Sequence, residues 1–382
     1  MVKLIRRSVE RDGFLGALHL LLLMDDTVIL ATTRESCMLK LRALVDYCDD
    51  YGMRVNLKKT KFMVINGDEN DRLDFTYKHI TVKHQPTYLY LGAWITESGK
   101  IKDAIKLHVE HNSNLVNKFA IFCSANSSMP FKFKRKVFDA AITSALLYST
   151  ESWTTNSIKS LEKQYHSMIK CLLNVRPNTS IKLCMVEAGI PPLSALMKRN
   201  RQRFLARQFA APNAEHPFHQ MHALCAASNT PAARFLRAAA EQRPDPSGEN
   251  LVRAVIENAH GTKFNTYKTV LNPQMNVSPV YTTNDYIPDY QRTAYTRIRV
   301  MSHRLKVETG RWSRIPADQR VCPCDGTSVQ DEEHVLITCP NTLHLRQRFP
   351  RLTFTSAAEL LDEPEHLKDL CAYAYNILSH FS

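Results

Sequence analysis

Two groups of residues in this chain have the types and spacing to do chemistry. The first is Asp25-Asp26, a pair of adjacent carboxylates between the apolar runs Leu18 to Leu23 and Val28 to Ala31. Like charges repel, so a fold that presents both together has reason to bind a cation there. Carboxylate oxygens are hard ligands and suit Mg²⁺. A pair of such ions lowers the pKa of an attacking hydroxyl and neutralises a phosphate leaving group. Asp-Asp is also an ordinary turn dipeptide, so the pair carries little by itself. The second group is Cys322-Pro323-Cys324, followed after nine residues by His334 and after four more by Cys339. Thiolate and imidazole are the ligands zinc prefers, and a structural site takes four. The pattern points to structural Zn²⁺ on Cys322, Cys324, His334 and Cys339. The one-residue gap between the first two cysteines is tighter than the usual two, and His344 is an alternative ligand. Three reduced cysteines beside a surface histidine is the plainer alternative.

Each group needs elements to hold it. Asp25-Asp26-Thr27 is expected at the tip of a hairpin between the two apolar runs. Thr32 and Glu35 have capping-box spacing, and Leu41, Leu44, Val45 and Cys48 follow at helical spacing. Gly52 would stop that helix. Val55 to Leu57 and Phe62 to Ile65 read as short strands, and Tyr88 to Ile95 as another, interrupted at Gly92. Beyond Gly99, Ile101, Ile105 and Val109, then Val137, Phe138 and Ile142, then Leu161 to Leu173, form helical stripes. Turn formers at Asn229-Thr230-Pro231, Arg243 to Gly248 and Asn272 to Pro288 predict linkers or surface loops. A basic helical stretch from Arg292 to Lys306 leads into the cysteines. Asp331 to Leu336 would place His334 at the start of a helix, with Cys339 just over one turn on.

Composition bounds the partners. Of the 382 residues, 44% are hydrophobic and 23% charged, the balance of a globular protein. Lys plus Arg number 50 against 37 Asp plus Glu, a net charge of +13 that favours a polyanion such as RNA or DNA. Three clusters carry the excess: Lys132, Lys134, Arg135 and Lys136; then Lys198, Arg199, Arg201, Arg203 and Arg207; then Arg292, Arg297, Arg299, Arg304 and Lys306, with Tyr295 and Trp312 nearby. Such groups bind phosphates, and the aromatics can stack on bases. Each cluster alone is also an ordinary solvated helix face. Seven of the ten cysteines are scattered singly, most of them in apolar stretches, where a thiol acts as a small hydrophobe. That usage fits a reducing intracellular compartment, cytoplasm or nucleus. The apolar run Phe14 to Met24 follows Lys3, Arg6 and Arg7, but it ends in Asp25-Asp26 rather than a cleavage site and is too short to span a bilayer. It is expected as a buried strand, with no membrane partner.

The motifs also have an order. Gly13-Phe14-Leu15-Gly16-Ala17-Leu18-His19 runs into Leu22-Leu23-Met24-Asp25-Asp26-Thr27-Val28-Ile29-Leu30-Ala31. Gly52-Met53-Arg54-Val55-Asn56 with Lys59-Thr60-Lys61 comes next, then Tyr90-Leu91-Gly92, then Leu147-Tyr148-Ser149-Thr150-Glu151-Ser152-Trp153. Over most of the chain this series resembles the reverse transcriptases of non-LTR retrotransposons, and Glu308 to Trp312 with the cysteine cluster resembles their zinc-knuckle-like C-terminal region. The resemblance implies an α+β fold: a partial polymerase palm of antiparallel hairpin plus helix over residues 1–96, thumb-like helices over 97–175, a helical connection with loops over 176–290, and a basic helix with the zinc-knuckle-like element over 291–382. It implies RNA-directed DNA polymerase ancestry, with Asp25 and Asp26 binding Mg²⁺. Lys59 would lie near the incoming triphosphate, with Lys58 and Lys61 as alternatives, and Gly92 would let backbone approach the primer end. Nucleic acid would be held by Gly92, Lys198, Arg199, Arg201, Arg203, Arg297 and Arg304.

Two departures set the expected activity. The family's Tyr-Ala before the aspartates is Leu23-Met24 here. The family's other metal-binding Asp lies on an earlier strand, and only 24 residues precede Asp25. The expectation is a truncated reverse-transcriptase-domain protein that binds RNA and DNA but is inactive alone. The rivals are a polymerase that borrows the missing palm from another chain and a non-enzymatic, zinc-dependent nucleic-acid-binding or scaffold protein.

Overall fold

The apolar run that ends at Leu23 folds back against the run that follows it. In a computed structural model, which describes residues 20–23, 26–209, 217–241, 248–257 and 259–382, β1 (Leu20–Leu23) and β2 (Asp26–Ile29) pair antiparallel with Leu23 opposite Asp26. Asp26 and Thr27 are therefore strand residues rather than the tip. Met24, Asp25 and Gly13 to His19 lie outside the described residues. The next helix spans Arg34–Asp50, and its cap is Thr33, whose hydroxyl accepts the Ser36 N–H at 3.1 Å. The expected box at Thr32 and Glu35 is off by one residue, because Thr33 is the extended residue whose oxygen reaches the third free N–H. Gly52 supplies the positive φ of 65° just past the helix end. Lys40 is buried and donates to the Leu30 carbonyl at 2.6 Å, tying this helix to the end of β2.

The rest of this region departs further from expectation. Val55 to Leu57 is not a strand: the Asn56 side chain accepts the Lys58 and Lys59 N–H groups at 3.2 and 3.3 Å and bends the chain into an Asx turn. Of Phe62 to Ile65, only Phe62 is in a strand, β3 (Lys61–Phe62). β4 (Phe75–Tyr77) and β5 (Ile80–His84) were unforeseen, and the sheet order is β3-β5-β4. Their signal was alternation, since Phe75, Ile80 and Val82 point inward and meet Leu41 and Val45 of the helix in one core. The Tyr88 to Ile95 run is two strands, β6 (Thr87–Tyr90) and β7 (Ala93–Thr96), joined by Leu91-Gly92 with φ of 47° and 80°.

Two successive positive φ values mark the turn whose twist matches a two-residue hairpin, and it prefers Asn-Gly. A leucine there costs on the order of 1–2 kcal/mol. Leu91 is 41% exposed, so its replacement sacrifices little apolar burial. Leu91→Asn is expected to raise the urea midpoint by about 1 kcal/mol equivalent at unchanged slope. A lowered midpoint would refute this account of the turn.

Contacts gather the chain into two interleaved units. The first comprises Met1–His108, Ser149–Thr155 and Asn200–Pro244, the second Val109–Tyr148, Asn156–Arg199 and Asp245–Ser382. In the first unit the Ser149 to Trp153 turn, with Ser149 at φ 63°, buries Trp153 edge-on against His108, ring centroids 5.4 Å apart.

The second unit is helical. Phe131–Val137 runs through a π-helical stretch (Phe138–Thr143) into Ser144–Leu147, and its face buries Phe138, Ile142 and Leu146 beside Lys159–Leu173, which buries Leu161, Tyr165 and Met168. Burial raises the Tyr165 hydroxyl above its usual range. Asn272 to Pro288 is not a surface loop: Ser278, Val280, Tyr281 and Ile287 are buried. The Ser278 hydroxyl lies 2.8 Å from that of Tyr295, and the Tyr281 hydroxyl 3.0 Å from that of Thr296, so the loop's polar groups find partners on the Asp289–Arg299 helix. Among the described residues Cys123, Cys184 and Cys371 are buried free thiols, and burial pushes Cys184 and Cys371 up to about 12. The whole is α+β with helices dominant. No helix among the described residues is long and apolar enough to cross a membrane.

Candidate metal centre and basic surfaces

The cysteine cluster is assembled from two short local structures. Cys322 and Cys324 sit on a tight loop closed by the Val321–Val329 bridge and by the Cys322 N–H donating to the Ser328 carbonyl at 2.7 Å. Asp325 accepts the Thr327 and Ser328 N–H groups and the Ser328 hydroxyl, which holds its carboxyl well below the usual range. Gly326, at φ 68°, completes the turn. On the other side Asp331 caps the segment bearing His334, accepting the His334 N–H at 2.8 Å. His334–Thr338 is a π-helical turn, closed by the Cys339 N–H donating to the His334 carbonyl at 2.8 Å. The wider turn, in place of the expected α-helical one, delivers Cys339 to the same side as His334.

The four ligand atoms lie within 4.8 Å of one another. Cys322 and Cys339 sulfurs are 3.8 Å apart, and Cys324 Sγ is 3.2 Å from His334 Nε2. Tetrahedral zinc with bonds of about 2.3 Å to sulfur places two sulfurs roughly 3.8 Å apart, so the donor set and spacing fit Zn²⁺. His334 Nδ1 lies 3.2 Å from the Thr338 hydroxyl, a partner that leaves Nε2 to face the sulfurs. Gln330 donates to Cys322 Sγ at 3.7 Å. Desolvation and the neighbouring sulfurs push the Cys324 thiol up to about 12, crowding that a bound divalent cation relieves. His344 is not part of the cluster; its ring packs instead against His380.

The palm candidates are less convergent. Asp25 lies outside the described residues, and Asp26 is exposed on β2. Among the described residues the only group of three or more metal-binding side chains is the cysteine cluster, and Asp26 is not part of it. Lys59 is exposed in the Asx turn, and its carbonyl accepts the Tyr88 hydroxyl at 3.4 Å. That contact sets the Lys59 turn beside the hairpin whose tip is Gly92.

Burial sorts the basic clusters. Lys134 is buried, donating to Asp289 at 2.8 Å and to the Cys123 carbonyl, and Arg135 binds Asp139 and the Ala188 carbonyl. Arg201, expected to face nucleic acid, is buried with its guanidinium over Phe235 and donating to the Thr155 carbonyl. Lys198 and Arg203 are exposed on the same helix (Leu193–Phe209), and Arg199 is half-buried. Arg292 and Arg299 are buried in ion pairs with Asp289 and Glu187, and Tyr295 is buried too, so it cannot stack on a base. Arg297 and Arg304 keep access to solvent, and Trp312 is 49% exposed. Comparison with protein-family models, with curated proteins and with solved structures finds no match for this chain.

Proposed function

We propose that this chain is a nucleic-acid-binding protein descended from the reverse transcriptase of a non-LTR retrotransposon, stabilised by structural Zn²⁺ and without polymerase activity of its own. The observation that carries the reading is the meeting of Cys322, Cys324, His334 and Cys339 in one four-ligand cluster, as a zinc-knuckle-like element requires. The β1–β2 hairpin followed by a packed helix, and the Lys59 turn beside the Gly92 hairpin, support palm ancestry. A net charge of +13 supports a polyanionic partner. Two-metal chemistry needs carboxylates gathered on one site, and Asp26 has no such company among the described residues.

Primer extension tests the catalytic part. With Mg²⁺, an RNA template and an annealed primer, the purified chain is expected to bind the nucleic acid in a salt-sensitive manner and to add no nucleotides. Extension that Asp26→Asn abolishes would restore the polymerase reading. Absence of binding to RNA and DNA at low salt would sink the nucleic-acid reading altogether.

A further inference from the structure

Arg176, which belongs to none of the three basic clusters of the sequence, meets two members of the third. It follows the Lys159–Leu173 helix, whereas Arg297 is near the end of the Asp289–Arg299 helix and Arg304 lies in the turn beyond it. The two segments clasp each other. Arg297 Nε donates to the Asn174 carbonyl at 3.2 Å, and Arg176 Nη1 donates to the His303 carbonyl, next to Arg304, at 2.9 Å. The Arg176 backbone N–H donates to the Ser302 hydroxyl at 3.1 Å, and that hydroxyl lies 2.7 Å from Thr179 Oγ1. The Arg176 guanidinium also lies over the Trp312 ring, 4.8 Å from its centroid.

Arg176 and Arg297 are anchored on backbone carbonyls, and exposed Arg304 follows directly on His303, whose carbonyl Arg176 binds. Among the described residues no ion pair is formed by Arg176, Arg297 or Arg304, and the nearby Glu308 is buried and already bound by Lys263 and Arg311. Burial, then the charges of Arg304 and Arg297, hold Arg176 below its usual range, and burial with Arg304 does the same to Arg297. Folding thus gathers like charges next to an exposed indole. An anion relieves the repulsion, and a polyanion that carries flat rings uses both features.

We propose that Arg176, Arg297, Arg304 and Trp312 form a binding site for single-stranded nucleic acid, with backbone phosphates on the arginines and a base stacked on the indole. The site rests on the nucleic-acid reading above and narrows it to one place and one strand form. A duplex keeps its bases stacked inward, so it would leave the indole unused.

The test uses the full chain with short fluorescein-labelled oligouridylate, oligothymidylate and a duplex of equal length. Both single strands are expected to bind more tightly than the duplex. Trp312→Leu is expected to weaken single-strand binding by about five- to a hundredfold, and Trp312→Phe to keep most of it. Arg304→Gln is expected to lower the slope of log K against log salt by about 0.7, one lost phosphate contact. Arg304 and Trp312 are exposed enough for these variants to fold, which a thermal scan checks. The two oligomers separate RNA from DNA preference without affecting the site. Wild-type affinity and salt slope in both Arg304→Gln and Trp312→Leu would overturn this site while leaving nucleic-acid binding elsewhere intact. Tighter duplex binding would overturn the single-strand assignment. No binding by the wild-type chain would overturn both.

Discussion

Cys339→Ser is expected to release bound zinc and to lower the thermal midpoint of the second unit sharply. Cys322 and Cys339 are fully buried, and the turn that carries Cys339 is tied into its surroundings. Arg346 donates to the Cys339 carbonyl at 2.8 Å, and the Thr342 hydroxyl donates to the Cys339 and Val335 carbonyls at 3.0 Å each. Tyr373 of the Leu367–His380 helix donates to the Leu336 carbonyl within the same turn. The Cys322–Cys324 loop and the His334–Cys339 turn come together at the four ligand atoms, so a bound ion would link them directly. Structural zinc supplies on the order of 10 kcal/mol of apparent binding free energy to small zinc domains. Here the packing around Val335 and Leu336 survives in part, so a loss of several kcal/mol is the expected scale. Metal analysis under reducing conditions should find about one zinc per chain, from one four-ligand set. Cys371→Ala separates ligand loss from cavity creation: Cys371 is equally buried but lies outside the cluster, so that variant should lose about 1 kcal/mol and keep its metal. Zinc content near zero in the wild-type chain, or unchanged content in Cys339→Ser, would remove the metal centre.

The second large effect is expected at Glu187 and Arg299. Glu187 is 0% exposed and Arg299 1%, and they pair at 2.6 Å. Every remaining partner is internal. Tyr267 donates to the other Glu187 oxygen at 2.8 Å and accepts from Asn272 at 2.9 Å, while Arg299 Nη1 donates to the Leu271 and Leu361 carbonyls. Burial and the Glu187 carboxylate together hold the Tyr267 hydroxyl well above its usual range, so it stays a donor. Removing one ion leaves the other desolvated and unpaired, which costs about 3–5 kcal/mol. Glu187→Gln and Arg299→Met are each expected to lose that much in urea unfolding. Converting both to Met should recover part of it, because two well-packed apolar chains need no counter-charge. A loss below about 1 kcal/mol in both single variants would show that the site readmits water or rearranges. The pair joins the Ile181–Ala188, Asp289–Arg299 and Ala357–Leu361 helices, so their mutual register depends on it.

Legibility followed the range of the interactions. The Gly52 stop and the β1–β2 pairing rest on residues a few positions apart, and both could be read directly. The Thr33 cap was missed by one residue, since Thr32 and Thr33 differ only in backbone angle. The hairpin at Leu91-Gly92 was read as one interrupted strand, because a leucine at positive φ hides the turn that Asn-Gly would announce. β4 and β5 were missed because three to five residues of alternation are weak until a core collects them.

The amino-acid sequence by itself determined the ligand types of the candidate metal centre and their spacing, while the π-helical turn and the Val321–Val329 bridge that bring the four side chains together came only with the structure. It also determined the excess of positive charge. Only the tertiary structure decided where that charge is available. Arg201, Arg292 and Arg299 are spent on partners inside the protein, while Arg176 joins Arg297 and Arg304 across more than a hundred residues. The reason is physical: a long charged side chain has the same local preferences whether it ends in water or against a carbonyl, and the choice is made by groups that reach it only after the chain has folded.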